Sequence, residues 1–186
     1  YIREGLTIIE HPVTFPIQDI ATRPAKVVHP LAKWNRHKLA EMGTAPGMGI
    51  YTDMNALRPD EELDNIHSIY VDQWDWEKVI TPQQRTVEFL KQTVRRIYEA
   101  IKVTENKIYV EFPDIKPQLP EDILFIHSEQ LRLLYPDLPP KERENEIVRQ
   151  YKAVFVIGIG CPLGDGEAHD GRAADYDDWS THNEDG

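Results

Sequence analysis

Two β-prone runs separated by a short charged turn constrain this chain more than any other feature in it. Gly47 to Leu57 (GMGIYTDMNAL) is glycine-led and then rich in strand formers. Ile66 to Val79 (IHSIYVDQWDWEKV) is the longest strand candidate in the sequence. Between them, Arg58 to Asn65 (RPDEELDN) is charged and carries a proline. A connection that short cannot return a parallel strand, which needs a longer crossover, so the two runs form an antiparallel hairpin.

Period-two alternation puts Val71, Gln73 and Asp75 on one face of the returning strand. That face offers an apolar ledge, an amide and a carboxylate in a line roughly 14 Å long at ~3.4 Å per residue. A purine fits the ledge, an amino acid fits Gln73 and Asp75, and Arg58 can reach a phosphate between them with its planar fork. A half-buried amphipathic hairpin with solvated charges explains the alternation equally simply. Tryptophan usage weighs against that reading, because Trp34, Trp74, Trp76 and Trp179 all lie in segments rich in polar candidates. Trp74 and Trp76 fall on the face opposite Gln73 and Asp75, where the indoles can pack behind a site.

The remaining pattern is mixed. Val13 to Ile17 and Ala25 to His29 read as short strands, with Pro16 favouring an edge. Pro30 opens a helix through Glu41, and Gly43 is its natural C-cap. His29 sits at a strand end before that helix, near fixed N–H dipoles, and Lys33 and Arg36 share one helix face. Thr81-Pro82 signals the start of a long helix whose apolar stripe is Val87, Leu90, Val94, Ile97 and Ile101. The opposite face carries Glu88, Lys91, Gln92, Arg95 and Glu99. A further helix is expected over Lys141 to Tyr151, and Ala153 to Ile159 reads as a buried central strand. Together these elements define an α+β fold with an antiparallel sheet flanked by helices, over a single domain spanning 1–186.

Composition bounds the function. A net charge of −11 over 186 residues disfavours nucleic-acid binding, which needs a basic surface, without excluding a local ATP site. No apolar run approaches the ~20 residues of a membrane span, which gives the expectation of a soluble protein with no membrane partner. The lone Cys161 allows no internal disulfide or Cys-rich zinc site and fits a reducing compartment. It precedes a proline without a neighbouring base, so a core or loop role is expected rather than nucleophilic catalysis. Gly158 to Gly166 (GIGCPLGDG) fails as a dinucleotide fingerprint, because Leu163 stands where glycine is needed and Pro162 blocks a helix. Asp165, Glu167, His169, Asp170, Asp175, Asp177 and Asp178 follow; a magnesium cluster is conceivable there, and solvated charge is the simpler reading. Asp177 and Asp178, between Tyr176 and Trp179, stand out from the rest.

Longer motifs carry a family resemblance. Gly49 to Glu61 (GIYTDMNALRPDE) and His67 to Glu77 (HSIYVDQWDWE) closely resemble the AMP-forming aspartate–ammonia ligase family, asparagine synthetase A. His29-x-Leu31-Ala32-Lys33-Trp34, Val156 to Gly160 and Ala174 to Thr181 resemble it as well, in the same order. The resemblance implies a class II aminoacyl-tRNA synthetase-like catalytic core, ATP and Mg2+ as cofactors, and a homodimeric cytoplasmic protein. It implies ligation of ammonia to L-aspartate through a β-aspartyl-adenylate. Arg58 would hold the α-phosphate and the reacting carboxylate, and Ser68 and Val71 would border adenine. Gln73, Asp75, Lys33 and Asp177 would serve aspartate, with Arg58 and Gln73 as the catalytic pair. Asn35 stands where a lysine is expected, Pro30 where a serine is expected, and Glu4 where an aspartate is expected.

Class II motifs are also expected before Tyr1 and after Gly186, so the chain reads as a piece that would make no asparagine alone. A class II aspartyl- or asparaginyl-tRNA synthetase core, and a non-catalytic amino-acid or nucleotide binder, remain the alternatives.

Overall fold

The computed structural model describes residues 13–27 and 32–171. Two compact units part between Pro82 and Gln83, and each is described by itself.

The first unit opens with a small hairpin, β1 (Thr14–Ile17) and β2 (Ile20–Lys26). The second strand therefore starts earlier than its sequence suggested and ends at Lys26, pairing Pro16 opposite Pro24 across an irregular register. Helix α1 (Ala32–Glu41) follows, while Pro30 lies outside the described residues. Its C-terminus is closed as expected: Gly43 has φ +59°, its N–H donates to the Ala40 carbonyl, and the Thr44 N–H donates to that of Leu39. Those two bonds form a Schellman cap, satisfying carbonyls the helix would otherwise leave open.

Strands β3 (Gly49–Leu57) and β4 (Tyr70–Lys78) pair antiparallel from Gly49 opposite Lys78 to Leu57 opposite Tyr70. Ile66 to Ile69 do not belong to the strand. The Asp64 carboxylate accepts from the N–H groups of Ile66 and His67, each at 2.8 Å, and so holds that backbone in a turn. Helix α1 packs against β3 and β4 and buries Leu39, Met54 and Ala56.

A short 3-10 turn at Pro82–Gln84 lies at the division, and the second unit then carries the 25-residue helix α2 (Val87–Glu111). Its N-cap is Thr86 rather than Thr81, since the Thr86 hydroxyl accepts from the Phe89 N–H at 3.1 Å. The proline starts a turn, and the next threonine starts the helix. The buried line is also rotated from the expected stripe: Val94 and Tyr98 are buried, whereas Leu90, Ile97 and Ile101 are more exposed. Tyr98 is pulled inward because its hydroxyl donates to the Pro120 carbonyl at 2.6 Å. Lys91 and Arg95, expected to face solvent, lie over the Phe125 ring at 5.8 and 5.1 Å from its centroid.

Beyond α2, β5 (Leu124–His127), α3 (Ser128–Leu134), α4 (Pro140–Tyr151) and β6 (Val154–Ile157) form a second core around Ile126, Leu131 and Ile147. Strands β5 and β6 pair parallel, Leu124 opposite Val154 through His127 opposite Ile157. The wholly antiparallel arrangement is thus corrected: α3 and α4 between the strands supply the crossover that parallel pairing requires. Strand β6 is half-buried and pairs only with β5 among the described residues, so it is not a central strand here. The α+β class stands, built from small sheets and four helices. Among the described residues no helix is long and apolar enough to cross a membrane.

A bidentate ion pair closes this core. Arg132 donates to both Glu129 oxygens, at 2.6 and 2.9 Å, and the Gly164 N–H adds a third donor at 3.0 Å. Hydrogen bonds from Arg132 and then from Gly164 lower the Glu129 carboxyl to about 2 from its usual 4.5. A carboxylate depressed in the folded state stabilises above its unfolded value, and that stabilisation fades as pH falls toward the folded value. Glu129→Gln is expected to flatten the loss of stability between pH 4.5 and about 2, read from thermal unfolding across that range.

Candidate functional site

The hairpin register decides which side chains meet α1. Ile50, Thr52, Met54 and Ala56 of β3 pair with Glu77, Asp75, Gln73 and Val71 of β4, and this set faces the helix. The sequence grouping of Val71, Gln73 and Asp75 on one face is therefore what the strand presents. The opposite face carries Tyr51 beside Trp76 and Asp53 beside Trp74. Trp74 is 78% exposed and Trp76 49% exposed, so the indoles do not pack behind the site in this unit as expected.

Asn35 is the most deeply placed polar group on this face, with no exposed surface. Its Nδ2 donates to Thr52 Oγ1 at 3.4 Å, and the Thr52 hydroxyl donates to the Asp75 carbonyl at 3.2 Å. Thr52 gives its single proton to Asp75, so toward Asn35 its oxygen can only accept. The amide orientation follows: nitrogen toward Thr52, oxygen away from it. Asn35 Oδ1, Gln73 Oε1 and Asp75 Oδ2 are all buried and have no hydrogen-bond partner among the described residues. Each such atom costs about 1–3 kcal/mol of unrecovered solvation, and buried unpaired polar atoms are scarce in folded proteins.

Arg58 follows directly on β3, and its N–H donates to the Ile69 carbonyl at 2.7 Å. The guanidinium is half exposed and lies 3.3 Å from Glu61 Oε2. Ser68 is exposed in the loop before β4 rather than on the strand where the sequence placed it. Lys33 falls in the first turn of α1, with its side chain outside the described residues, and His29 and Asp177 lie outside them altogether. Arg36 does not join Lys33 as a free cation, because its Nε is 3.0 Å from Glu77 Oε1.

Sequence reasoning missed Thr52 and Asp64. Thr52 alternates with Ile50 and Met54, so its face was readable once the register was known. Asp64 has a turn residue's chemistry: its carboxyl lies below the ordinary range because the Ile66 N–H and the His67 side chain both donate to it. On the outward face Tyr70 donates to Asp72 at 2.8 Å, which raises the phenol's pKa.

Among the described residues, two cavities are lined away from this face. Asp53, Asn55, Tyr70, Asp72 and Trp74 line a polar recess of about 930 Å3 on the outward face of the hairpin. In the second unit, α4 and β6 line an apolar cavity of about 570 Å3. There Glu144 meets the buried His169 at 3.0 Å, a pair separated by 25 positions that no motif announced. In the acidic run, Asp165 accepts from the Glu167 N–H and Asp170 from that of Gly171, while Asp175, Asp177 and Asp178 lie outside the described residues. Among the described residues no three His, Cys, Asp or Glu side chains gather to hold a metal ion. Cys161 is a loop residue whose thiol donates to the Gly158 carbonyl at 2.9 Å.

A family model described as aspartate-ammonia ligase matches residues 1–185. Curated relatives named aspartate–ammonia ligase agree: that of Bacteroides thetaiotaomicron is 59% identical over 180 residues, 97% of this chain and 52% of the relative. The protein of Parabacteroides distasonis is 57% identical over 185 residues, 100% of this chain and 54% of the relative. The chain belongs to the aspartate–ammonia ligase family. It spans about half the length of the curated relatives it matches.

The hairpin carrying these groups has one position without slack. A Cβ at Gly49 would stand 2.5 Å from the Glu77 carbonyl oxygen, a backbone atom that cannot swing aside. Gly49→Ala is expected to destabilise the first unit by roughly 1–3 kcal/mol, measured by urea unfolding.

Proposed function

We propose that the full-length protein is an ATP-dependent, AMP-forming ligase that joins ammonia to L-aspartate through a β-aspartyl-adenylate, giving L-asparagine. The observation that carries the reading is the family match over residues 1–185. The face of Asn35, Gln73 and Asp75 supports it, because an amino acid supplies N–H donors that those oxygens do not find among the described residues.

In this reading Arg58 holds the α-phosphate and the reacting carboxylate, placing a fixed cation where charge shifts as the adenylate forms. Its pairing with Glu61 is no obstacle, since an exposed pair of this kind is worth about 0–1 kcal/mol. Val71, beside the buried Ala56, offers adenine an apolar ledge. Ser68 in the adjoining loop would border the same base. Gln73 and Asp75 take aspartate, with Lys33 and Asp177 completing its contacts and His29 near the helix start.

Magnesium enters with the nucleotide's polyphosphate. The described residues offer no ligand cluster for it, so no step is assigned to the ion. The class II synthetase-like core, the union of both units in one catalytic domain, the homodimer and the cytoplasmic location belong to the same proposal.

Arg58→Ala in the full-length protein is expected to abolish aspartate-dependent ATP–pyrophosphate exchange while circular dichroism stays unchanged. Near-normal exchange in that variant would overturn the role given to Arg58.

A further inference from the structure

We infer that Asp64 is a positioning residue for the nucleotide: through the His67 peptide it fixes Ser68 at a set distance from Arg58. The connection from β3 to β4 runs over residues 58–69. Joining two antiparallel strands takes roughly two to five residues, so this loop is longer than the hairpin requires. Surplus loop held on a rigid scaffold is where binding groups concentrate.

The loop is also organised along its length. At its base the Arg58 N–H donates to the Ile69 carbonyl at 2.7 Å, and the Glu61 N–H donates to the Arg58 carbonyl at 3.3 Å. Beyond that turn a single oxygen, Asp64 Oδ1, meets the Ile66 N–H, the His67 N–H and the His67 ring Nδ1, each at 2.8 Å. The ring donates there, because an ionised carboxylate can only accept. The Ile66 N–H first, and then the His67 side chain, hold the Asp64 carboxyl below its ordinary range. It therefore holds the loop as a charged acceptor, whose hydrogen bonds are stronger than neutral ones.

Ser68 stands between the two tethers. Asp64 holds His67, the residue before it, and the main chain of Arg58 holds Ile69, the residue after it. Cross-strand pairing starts only at Tyr70, so the ladder itself places neither Asp64 nor Ser68. Arg58 serves the phosphate and Ser68 the base, so Asp64 sets the spacing between the two ends of one ligand. That this ligand is a nucleotide rests on the ligase reading; the pinning of Ser68 rests on the hydrogen bonds alone.

The test uses the full-length protein as wild type, Asp64→Ala and Asp64→Asn. Affinities for ATP, pyrophosphate and L-aspartate are measured by calorimetry, and AMP formation from ATP, aspartate and ammonia is followed alongside. Asp64→Ala is expected to weaken ATP roughly tenfold, the size of a lost hydrogen bond to a charged group. Pyrophosphate is spared, since it has no base for Ser68 to border. Aspartate affinity is unchanged, a result that an unfolded variant cannot give. Asp64→Asn keeps an acceptor oxygen for both main-chain donors and returns ATP affinity to within about threefold of wild type. Equal ATP affinity in wild type and Asp64→Ala would overturn the assignment, as would an Asn variant no better than the Ala one. A matching loss for ATP, pyrophosphate and aspartate would also overturn it, by making Asp64 a support of the whole hairpin. ATP binding that depends on Asp64, in a wild-type protein that forms no AMP, would instead sink the ligase reading and leave the role of Asp64 standing.

Discussion

Nine consecutive cross-strand pairs, from Gly49 opposite Lys78 to Leu57 opposite Tyr70, set everything that the first unit can present. Side chains alternate at every step, so a slip of one residue in β4 would send Gln73 and Asp75 outward and bring Trp74 and Trp76 under α1. Burial of Met54 and Ala56 against α1 opposes such a slip, because their partners must then fit the same covered face. Gly49 secures one end of the ladder by leaving room for the Glu77 carbonyl. At the other end, Asp64 gathers the backbone of Ile66 and His67 and delivers the chain to β4 at Tyr70.

The second unit depends on a different kind of constraint. Its two short strands run parallel, so their joining segment must travel the length of the strand and return, and α3 and α4 do that. Leu131 is fully buried where those helices meet the strands. Glu129 and Arg132, one turn apart on α3, then tie the helix to the glycine-rich loop through the Gly164 N–H.

What the sequence made readable follows from the range of the forces involved. The hairpin and its two faces come from a local period-two pattern, and Gly43 as a helix stop comes from one residue's freedom at positive φ. Those features stood in the residues themselves. The N-cap was misplaced because Thr81 and Thr86 both look like caps, and only the hydrogen bond to Phe89 chooses between them. The rotation of the buried face of α2 escaped for a similar reason. Tyr98 is drawn in by Pro120 and Lys91 is drawn over Phe125, partners too distant for any local pattern to reveal. The candidate site divides the same way. Gln73 and Asp75 were legible from alternation, and Asn35 was noticed only as a departure from a family pattern. Its place in a chain through Thr52 to Asp75 required the packing of α1 on the hairpin. His29 and Asp177 lie outside the described residues, so their roles rest on the resemblance alone.

The bond from Thr52 to the Asp75 carbonyl has a consequence for any chemistry on this face. It anchors the aspartate by its main chain and leaves one carboxylate oxygen unspent. Most residues fix a side chain by saturating it; here the peptide is fixed and the side-chain oxygen stays available. The reorganisation that an incoming charge would normally demand of its surroundings has then been completed during folding, before any ligand arrives. A group meeting Asp75 Oδ2 displaces no hydrogen bond made by the described residues.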